Sequence, residues 1–318
     1  MTVTELQIRT DDPRAAFIDE MRSHGFEPPP YPAIEKLDRM PAPGDKPGKK
    51  SGWYRYVEFP DDSCEGGVIA IGVFGSWKGN PEKVVWSSKR RDAMSPVAQV
   101  RLEEKIKAAK IAHDLALKEA RKAAAQRAEE IWEQTDPAPK SHPYLKDKGI
   151  KPHGIHVSRG NLVVAVMDGD QIASLQFIGI NGKKKFLSGG RVKGCSYRIG
   201  EKYTDTVYVD EGFATGATLH EITGDVCYVA FTAGNLLAVG HAVRARHRGA
   251  RLIIAGDDDH ATDGNPGRAK AGAAANALRC KVVFPELGEG AGPDDTDFND
   301  MARLYGAEAV KRVLGRAQ

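Results

Sequence analysis

From residue 203 onward, short apolar runs alternate with amphipathic stretches in a regular beat. TVYVDEG is followed by ATGATLHEIT, VCYVAFTAG by NLLAVGHAVRARH, and RLIIAGDDD, after a Gly/Asn/Pro loop, by GRAKAGAAANALR. KVVFPEL precedes an acidic loop and a last amphipathic stretch, FNDMARLYGAEAVKRVLG. The β-branched runs read as strands and the stretches of helical period as helices. Apolar strands alternating with amphipathic helices predict a parallel sheet covered on both faces. In such sheets, functional groups collect beyond the carboxyl ends of the strands.

The front of the chain is patterned differently. Residues 13–24 form a short amphipathic helix candidate, and the Pro/Gly/Lys-rich stretch 28–50 reads as irregular. GWYRYVEF, GGVIAIGVFGSW and KVVW are aromatic and β-branched and predict a small β-rich domain over residues 1–95, with Trp53, Trp77 and Trp86 in its core. Exposed aromatics stacking on a nucleotide are the alternative for those tryptophans. After Pro96, residues up to 135 lack Gly and Pro and are rich in Ala, Lys, Glu and Arg. They predict one helix about 60 Å long at about 1.5 Å per residue, within a connector over 96–140. Its charges nearly cancel, which fits a solvated connector, and DPAPK ends it because proline cannot continue a helix. Residues 141–202 then read as a second β-rich module. LVVAVMD, QIASLQFIGI and KKKFLSGG are its strands, separated by Asp-Gly and Asn-Gly turns.

Composition narrows the class. The chain has 318 residues, 41% hydrophobic and 28% charged, as an ordinary globular protein of about two domains would. No apolar run approaches the roughly 20 residues of a membrane span, and the N-terminus has no basic-then-apolar signal peptide. The cysteines at 64, 195, 227 and 280 form no CxxC pair, which argues against a disulfide framework and a Cys-based zinc knuckle. A cytoplasmic protein without membrane contact is expected. The net charge of +3 hides an asymmetry: residues 1–139 carry −1, residues 140–202 carry +8 and residues 203–318 carry −4. A basic segment beside clustered carboxylates suits a metal-dependent enzyme acting on a polyanion. Chance clustering in solvated loops is the plainer alternative.

The carboxylates fall where the sheet rule puts chemistry. The first strand of the last third ends in Asp210-Glu211-Gly212, and the third in Asp257-Asp258-Asp259. The loop after the fourth carries Asp294, Asp295, Asp297 and Asp300. Unpaired, they would repel one another by about a few kcal/mol. A divalent cation with a preference for oxygen ligands, Mg²⁺ or Mn²⁺, would remove that cost. Strand alternation puts Asp257 and Asp259 on one side and Asp258 on the other. The alternative is that these acids merely cap helix N-termini.

This ordered set, Glu-Gly after one strand, Asp-x-Asp after another and a later DFND, resembles the Toprim domain of DnaG-type primases, topoisomerases and related nucleases. The pieces VDEGFATGATLHEITG, AFTAGNL, IIAGDDDHATDGNPGRAKAGAAA and DFNDMARLYG are most similar to primases of phages, satellite phages and conjugative plasmids. HPYLKDKGI and LVVAVMDGDQIASLQFIGINGKKKFLSGG look like the segment that precedes Toprim in such primases. GWYRYV and FGSWKG look like their N-terminal region. The resemblance implies an α/β Toprim domain over 203–318, preceded by a basic β-rich subdomain of the primase core, the long helix and the small β-rich domain.

It also implies roles. Glu211 would be a metal ligand or acid/base, Asp257 and Asp259 the DxD ligands, and Asp297 and Asp300 the rest of the acidic rim. Gly212 would let the backbone turn sharply beside the metal. Lys183, Lys184, Lys185, Arg191 and Lys193 would line the path of template or nucleoside triphosphate. Asn235 and Lys270 match the family's wording and would bind nucleic acid or nucleotide. Expected partners are single-stranded DNA template, ribonucleoside triphosphates and a replicative helicase. The chain lacks the Cys/His zinc module of DnaG-type primases, so no zinc is expected, and it lacks a GxxxxGK[ST] loop. Tyr203, Tyr208 and Tyr228 read as packing residues rather than nucleophiles, against a topoisomerase. The implied activity is DNA-directed RNA primer synthesis, a nucleotidyl transfer. A Toprim nuclease and a non-catalytic nucleic-acid-binding replication protein are the alternatives.

Overall fold

In the computed structural model, residues 12–60, 68–76, 83–89, 96–201 and 205–316 are described. The chain divides into two compact units, Met1–Asp114 and Leu115–Gln318.

The first unit starts with helix α1 (Pro13–Ser23). Asp12 accepts a hydrogen bond from the Arg14 N–H (2.9 Å) and Pro13 needs no donor partner, so the helix is capped where the sequence allows it to begin. Strands β1 (Leu37–Met40), β2 (Gly52–Pro60), β3 (Val68–Ser76) and β4 (Val84–Ser87) form an antiparallel sheet in that order. The stretch expected to be irregular therefore contributes β1. The core is Phe17, Met21, Met40, Tyr54, Tyr56 and Phe74, all fully buried. A Cβ at Gly72 would stand 2.0 Å from the Phe17 ring, so the glycine lets α1 close onto β3. The tryptophan expectation needs correcting: strand alternation buries Tyr54 and Tyr56 and leaves Trp53 half-buried on the other face. Trp86 packs against the core from its margin, 5.3 Å from the Phe17 ring, and Trp77 lies outside the described residues.

Helix α2 (Pro96–Glu133) is the long helix the composition predicts. It is more than a connector. Ala124 and Ala128 are fully buried, and Ala128 packs with Val163 and Leu175. Trp132 stacks on the His156 ring, centroids 3.7 Å apart and planes 12° from parallel.

In the second unit, β5 (Asp136–Pro137), α3 (Pro143–Lys148), β6 (His156–Ser158), β7 (Asn161–Asp168), β8 (Gln171–Ile178) and β9 (Lys184–Phe186) follow. Their strands form an antiparallel sheet in the order β5-β6-β7-β8-β9. Then come β10 (Tyr197–Ile199), β11 (Thr206–Asp210), α4 (Phe213–Thr223), β12 (Val226–Val229), α5 (Leu236–Arg246), β13 (Arg251–Ala255), α6 (Pro266–Leu278), β14 (Lys281–Val283), α7 (Phe298–Tyr305) and α8 (Ala307–Gly315). The second sheet runs β10-β12-β11-β13-β14. Its last four strands are parallel, as the alternation predicts, and β10 is an antiparallel edge.

Alternation along the central strands supplies two faces. Val207, Val209 and Tyr228 pack with α5 and α6 through Leu236, Val239, Ala271 and Leu278. Tyr208, Ile253 and Ala255 pack with α4, α7 and α8 through Phe213, Ala217, Phe298 and Val310. Each Val, Leu, Ile or Phe side chain among them taken from water contributes about 1.5–3 kcal/mol. Leu162, Val164, Ile178 and Cys195 belong to the same cluster as the second face, so the basic module and the parallel sheet share one core. The last amphipathic stretch, expected as one helix, is two, because Gly306 at φ 80° and ψ 167° breaks it.

Candidate active site at the carboxyl ends of the parallel strands

The site is built from two strand ends and one helix start. Asp210 is the last residue of β11, Glu211 follows it, Asp257 lies two residues beyond β13, and Asp297 is the N-cap of α7. Asp210 points to the face covered by α4, where Gly216 leaves room: a Cβ there would stand 2.8 Å from Asp210 Oδ2 and 3.1 Å from Oδ1. Asp210 is fully buried, and neither of its oxygens has a hydrogen-bond partner. One oxygen each of Glu211 and Asp257 is likewise buried and unpartnered.

Each of the four carboxyls is pushed above the ordinary carboxylate range. Burial is the first cause in every case. For Asp210, neighbouring Asp257, Asp297 and Glu211 add repulsion. For Asp257 the neighbours are Glu211 and Asp297, and Lys184 offsets part of the effect. Glu211 is raised to about 7 by burial and Asp259, against Lys270. Asp297 is raised by burial and Asp300, against the Asp300 N–H, Lys148 and Thr215. These four form a mutually repelling, oxygen-only set on the rim of one sheet.

The neighbouring acids are satisfied instead. Asp258 accepts from Arg268 Nε (2.7 Å), Arg268 Nη2 (2.9 Å) and Asn265 Nδ2 (2.6 Å), which hold its carboxyl below the usual range. It points away from the rim as expected, but the reason differs: β13 ends at Ala255, so hydrogen bonds rather than strand alternation set the direction. Asp259 Oδ2 accepts from the Gly267 N–H at the start of α6 (2.8 Å), while its charge still reaches Glu211. Asp300 closes a capping box with Asp297: its Oδ2 accepts from the Asp297 N–H (3.4 Å), the Asp300 N–H donates to Asp297 Oδ1 (2.9 Å), and the Thr296 N–H adds a further bond to Asp300 Oδ2 (3.0 Å). Its other oxygen pairs with Lys148 Nζ at 3.0 Å. Asp300, expected as a metal ligand, is half of this cap and of an ion pair in this structure. Its oxygens are taken up in positioning Asp297, because a helix N-terminus and a lysine reach them first. Asp297 and Asp259 both accept from backbone N–H groups in the first turn of a helix, so the capping alternative describes them in this structure.

The basic residues separate in the same way. Lys184 Nζ lies 3.5 Å from where a Gly212 Cβ would be and acts on Asp257, so β9 brings one lysine to the rim. Lys270 on α6 is exposed and acts on Glu211. Lys183, Lys185 and Lys193 are exposed. Arg191 is paired with Asp168. Asn235 is 3% exposed and its amide is spent on backbone: it accepts from the Gly194 N–H (2.7 Å) and donates to the carbonyls of Val192, Cys195 and Ala230 (2.9–3.0 Å). Asn235, expected to contact nucleic acid or nucleotide, here ties the 192–195 loop to the end of β12. Gly212 is extended (φ −129°, ψ 143°), a conformation open to any residue, so the sharp turn expected of it is not there. Tyr208 and Tyr228 are buried, as packing residues are, and Tyr203 lies outside the described residues.

Two participants have no role among the sequence expectations. Asp210, named there only as one of the strand-end acids, closes an apolar strand, and its signal is an acid in that register with a glycine six residues later in the covering helix. Lys148, in HPYLKDKGI, reaches Asp300 across 152 positions; nothing local announces that pairing.

Among the described residues, no three Asp, Glu, His or Cys side chains converge as a ready-made metal site. The rim nevertheless fits a hard divalent cation. Buried carboxylate oxygens stand without partners, and each acid raises its neighbours' proton affinity, which is the imbalance such a cation relieves.

A sheet with this order, carrying unpartnered acids at these strand ends, belongs to a known class: residues 206–308 match the Toprim domain family, and this part of the chain is a Toprim domain. Over 297 residues, 87% of its length, the chain is 31% identical to DNA primase TraC of Escherichia coli. It spans about a quarter (27%) of that relative. The chain thus resembles, over most of its length, a Toprim DNA primase of the plasmid and phage kind. Among solved structures it is similar to the primase fragment of the bacteriophage T7 primase-helicase protein (17% identity, 54% of this chain and 73% of that one, TM-score 0.40). It is also similar to the Aquifex aeolicus primase (13% identity, 95% of this chain and 83% of that one, TM-score 0.43).

Proposed function

We propose that the chain is the catalytic core of a DNA primase. It synthesises short RNA primers on single-stranded DNA by transferring nucleotidyl units from ribonucleoside triphosphates. The observation that carries this reading is the rim of Asp210, Glu211 and Asp257, buried with oxygens that have no partner, beside the buried and fully hydrogen-bonded Asp297, with Lys184 reaching it from the basic module and Lys270 from α6. The 31% identity to DNA primase TraC supports it.

Glu211 and Asp257 would hold Mg²⁺ or Mn²⁺, with Asp297 and Asp259 beside them. When bound, such a cation supplies charge neutralisation at the reacting phosphate and lowers the proton affinity of an attacking hydroxyl. The remaining work is the chain's own. Without a cation, burial and Asp259 raise Glu211 to about 7; a bound cation would offset that and keep Glu211 ionised as a ligand. Lys184 and Lys270 place positive charge where a triphosphate would lie, and fixed positive charge favours the transition state of phosphoryl transfer. Thr215, donating to Asp297 Oδ2 at 3.0 Å, and the capping box hold Asp297 in place. Lys183, Lys185 and Lys193 are available to template phosphates, and a helicase would act as partner on the same DNA.

The test is incubation with single-stranded DNA, labelled ribonucleotides and Mg²⁺ or Mn²⁺. RNA product that disappears in Asp257→Asn supports the proposal. Shortened template without RNA product would overturn it in favour of a nuclease.

A further inference from the structure

Helix α2 joins the core only along its last turns. Among its described side chains, Ala124 and Ala128 are buried, whereas Val97, Val100, Ile111 and Leu115 are 52–60% exposed. At about 100° per residue, these four and Ala108 fall within an arc of about 80°. They form one stripe along the helix. Large aliphatic side chains aligned in water mark a contact surface. The first unit leaves room beside this stripe: a groove of about 270 Å³ runs between Arg101, Glu104 and Ala108 and the end of β2 at Phe59 and Pro60. The charges of the helix are ordered about the same stripe. Glu104 and Lys118 lie on it, seven residues before and seven after Ile111. By the same helical period, Lys107 and Asp114 line one margin, and Arg101 and Glu119 the other. All six are exposed.

We infer that α2 pairs antiparallel with α2 of a second copy of this chain, with Ile111 on the two-fold axis. A two-fold contact is reciprocal, so each residue meets the one equally far on the other side of Ile111. Ile111 then packs on Ile111, and Leu115 on Ala108 of the second copy. Glu104 meets Lys118 of the second copy, and Lys118 meets its Glu104. In an antiparallel pair each margin of one helix faces the same margin of the other. Lys107 therefore comes beside Asp114 of the second copy, offset by one residue or about 1.5 Å, and Arg101 beside Glu119, offset by two. Every one of these opposite-charge contacts occurs twice. The parallel arrangement instead sets Glu104 against Glu104 and Lys118 against Lys118, which like charge disfavours. The charges that nearly cancel in the sum over this helix are thus placed for a partner of the same sequence. The stripe is narrow and its ion pairs stay in water, so the pair should be a micromolar one that salt weakens.

Sedimentation velocity of the full chain tests this. From about 1 to about 100 µM at low salt, the mass should rise from one chain towards two. Ile111→Glu sets two carboxylates on the axis and should stay a single chain at every concentration, with its melting temperature in place because the side chain is exposed. Glu104→Lys and Lys118→Glu should each weaken pairing by about tenfold or more. An equimolar mixture of those two variants turns each repulsive contact at these positions into an attractive one, and should pair at least as well as the unaltered chain. Asp257→Asn should sediment as the unaltered chain does, since the rim takes no part. A single-chain mass at all concentrations overturns the inference, and so does a pair that Ile111→Glu leaves intact. Failure of the mixture to pair overturns the antiparallel register. If Ile111→Glu releases a labelled single-stranded oligonucleotide without changing the mass, the stripe belongs to nucleic acid and self-pairing falls.

Discussion

Asp257 and Asp258 are neighbours in sequence and opposites in surroundings. Asp258 receives two bonds from Arg268 and one from Asn265, and its carboxyl is held below the ordinary range. Asp257 is buried beside Glu211 and Asp297 with an oxygen unpartnered, and its carboxyl is held well above that range. Asp297 and Asp300, three residues apart on one helix start, both have donors and still differ: deeper burial and the charge of Asp300 raise the first, while the Thr296 N–H and Lys148 lower the second despite its burial. Acids with donors hold the fold together. Acids without them store an imbalance that a cation and a substrate would relieve. Chemistry and scaffold are interleaved residue by residue, and counting acidic residues alone does not tell them apart.

The contrast can be broken most forcefully at the rim. Glu211→Gln or Asp257→Asn should lower labelled ribonucleotide incorporation by about 10³-fold or more, at the upper end of losses seen when one electrostatic stabiliser is removed. The circular dichroism spectrum should not change. Incorporation within tenfold of the unaltered chain would place the chemistry elsewhere.

On the scaffold side, Asp300→Ala should destabilise by about 2–4 kcal/mol. The change removes a capping-box acceptor and leaves Lys148 half-buried without its partner. Urea denaturation measures this, and Lys148→Met combined with Asp300→Asn should cost less than the sum of the separate changes. Simple additivity would mean that the pair does not hold α3 to α7.

A smaller effect comes from pH. Glu211 is raised from 4.5 to about 7, so the folded chain favours its protonated form. That contribution to stability is fully present below about pH 4.5 and is lost as pH rises through about 7. In EDTA the melting temperature should therefore fall across that window by a few degrees. Mg²⁺ should reduce the fall, and Glu211→Gln should flatten it. A melting temperature that rises between pH 5 and 7.5 in EDTA would contradict the raised carboxyl.

The smallest expected change has the opposite sign to that at Asp300. Asp257→Asn, inactive by the first test, should stabilise the metal-free chain at pH 8 by about 1 kcal/mol, since it removes a charge from a repelling set. Destabilisation there would place Asp257 with the scaffold acids.

The strand-and-helix alternation after residue 203, the long Ala-rich helix and the two acidic strand ends were all legible because they depend on local period and on the rule that parallel strands share a carboxyl edge. The break at Gly306 and the strand β1 were not, since a single glycine and a Pro/Gly-rich stretch carry weak local signals. Trp53 was assigned to the core by residue type, when alternation in β2 gives that place to Tyr54 and Tyr56.

What the sequence determined by itself was the set of residues that can meet: strand ends, their acids and the basic segment ahead of them. Which acid stays bare and which is paired was decided by tertiary structure alone. Lys148 reaches Asp300 across 152 positions, Thr215 reaches Asp297 across 82, and Gly216 clears the space around Asp210. A carboxylate's charge state follows from burial and from the donors that arrive beside it, and those donors come from distant parts of the chain.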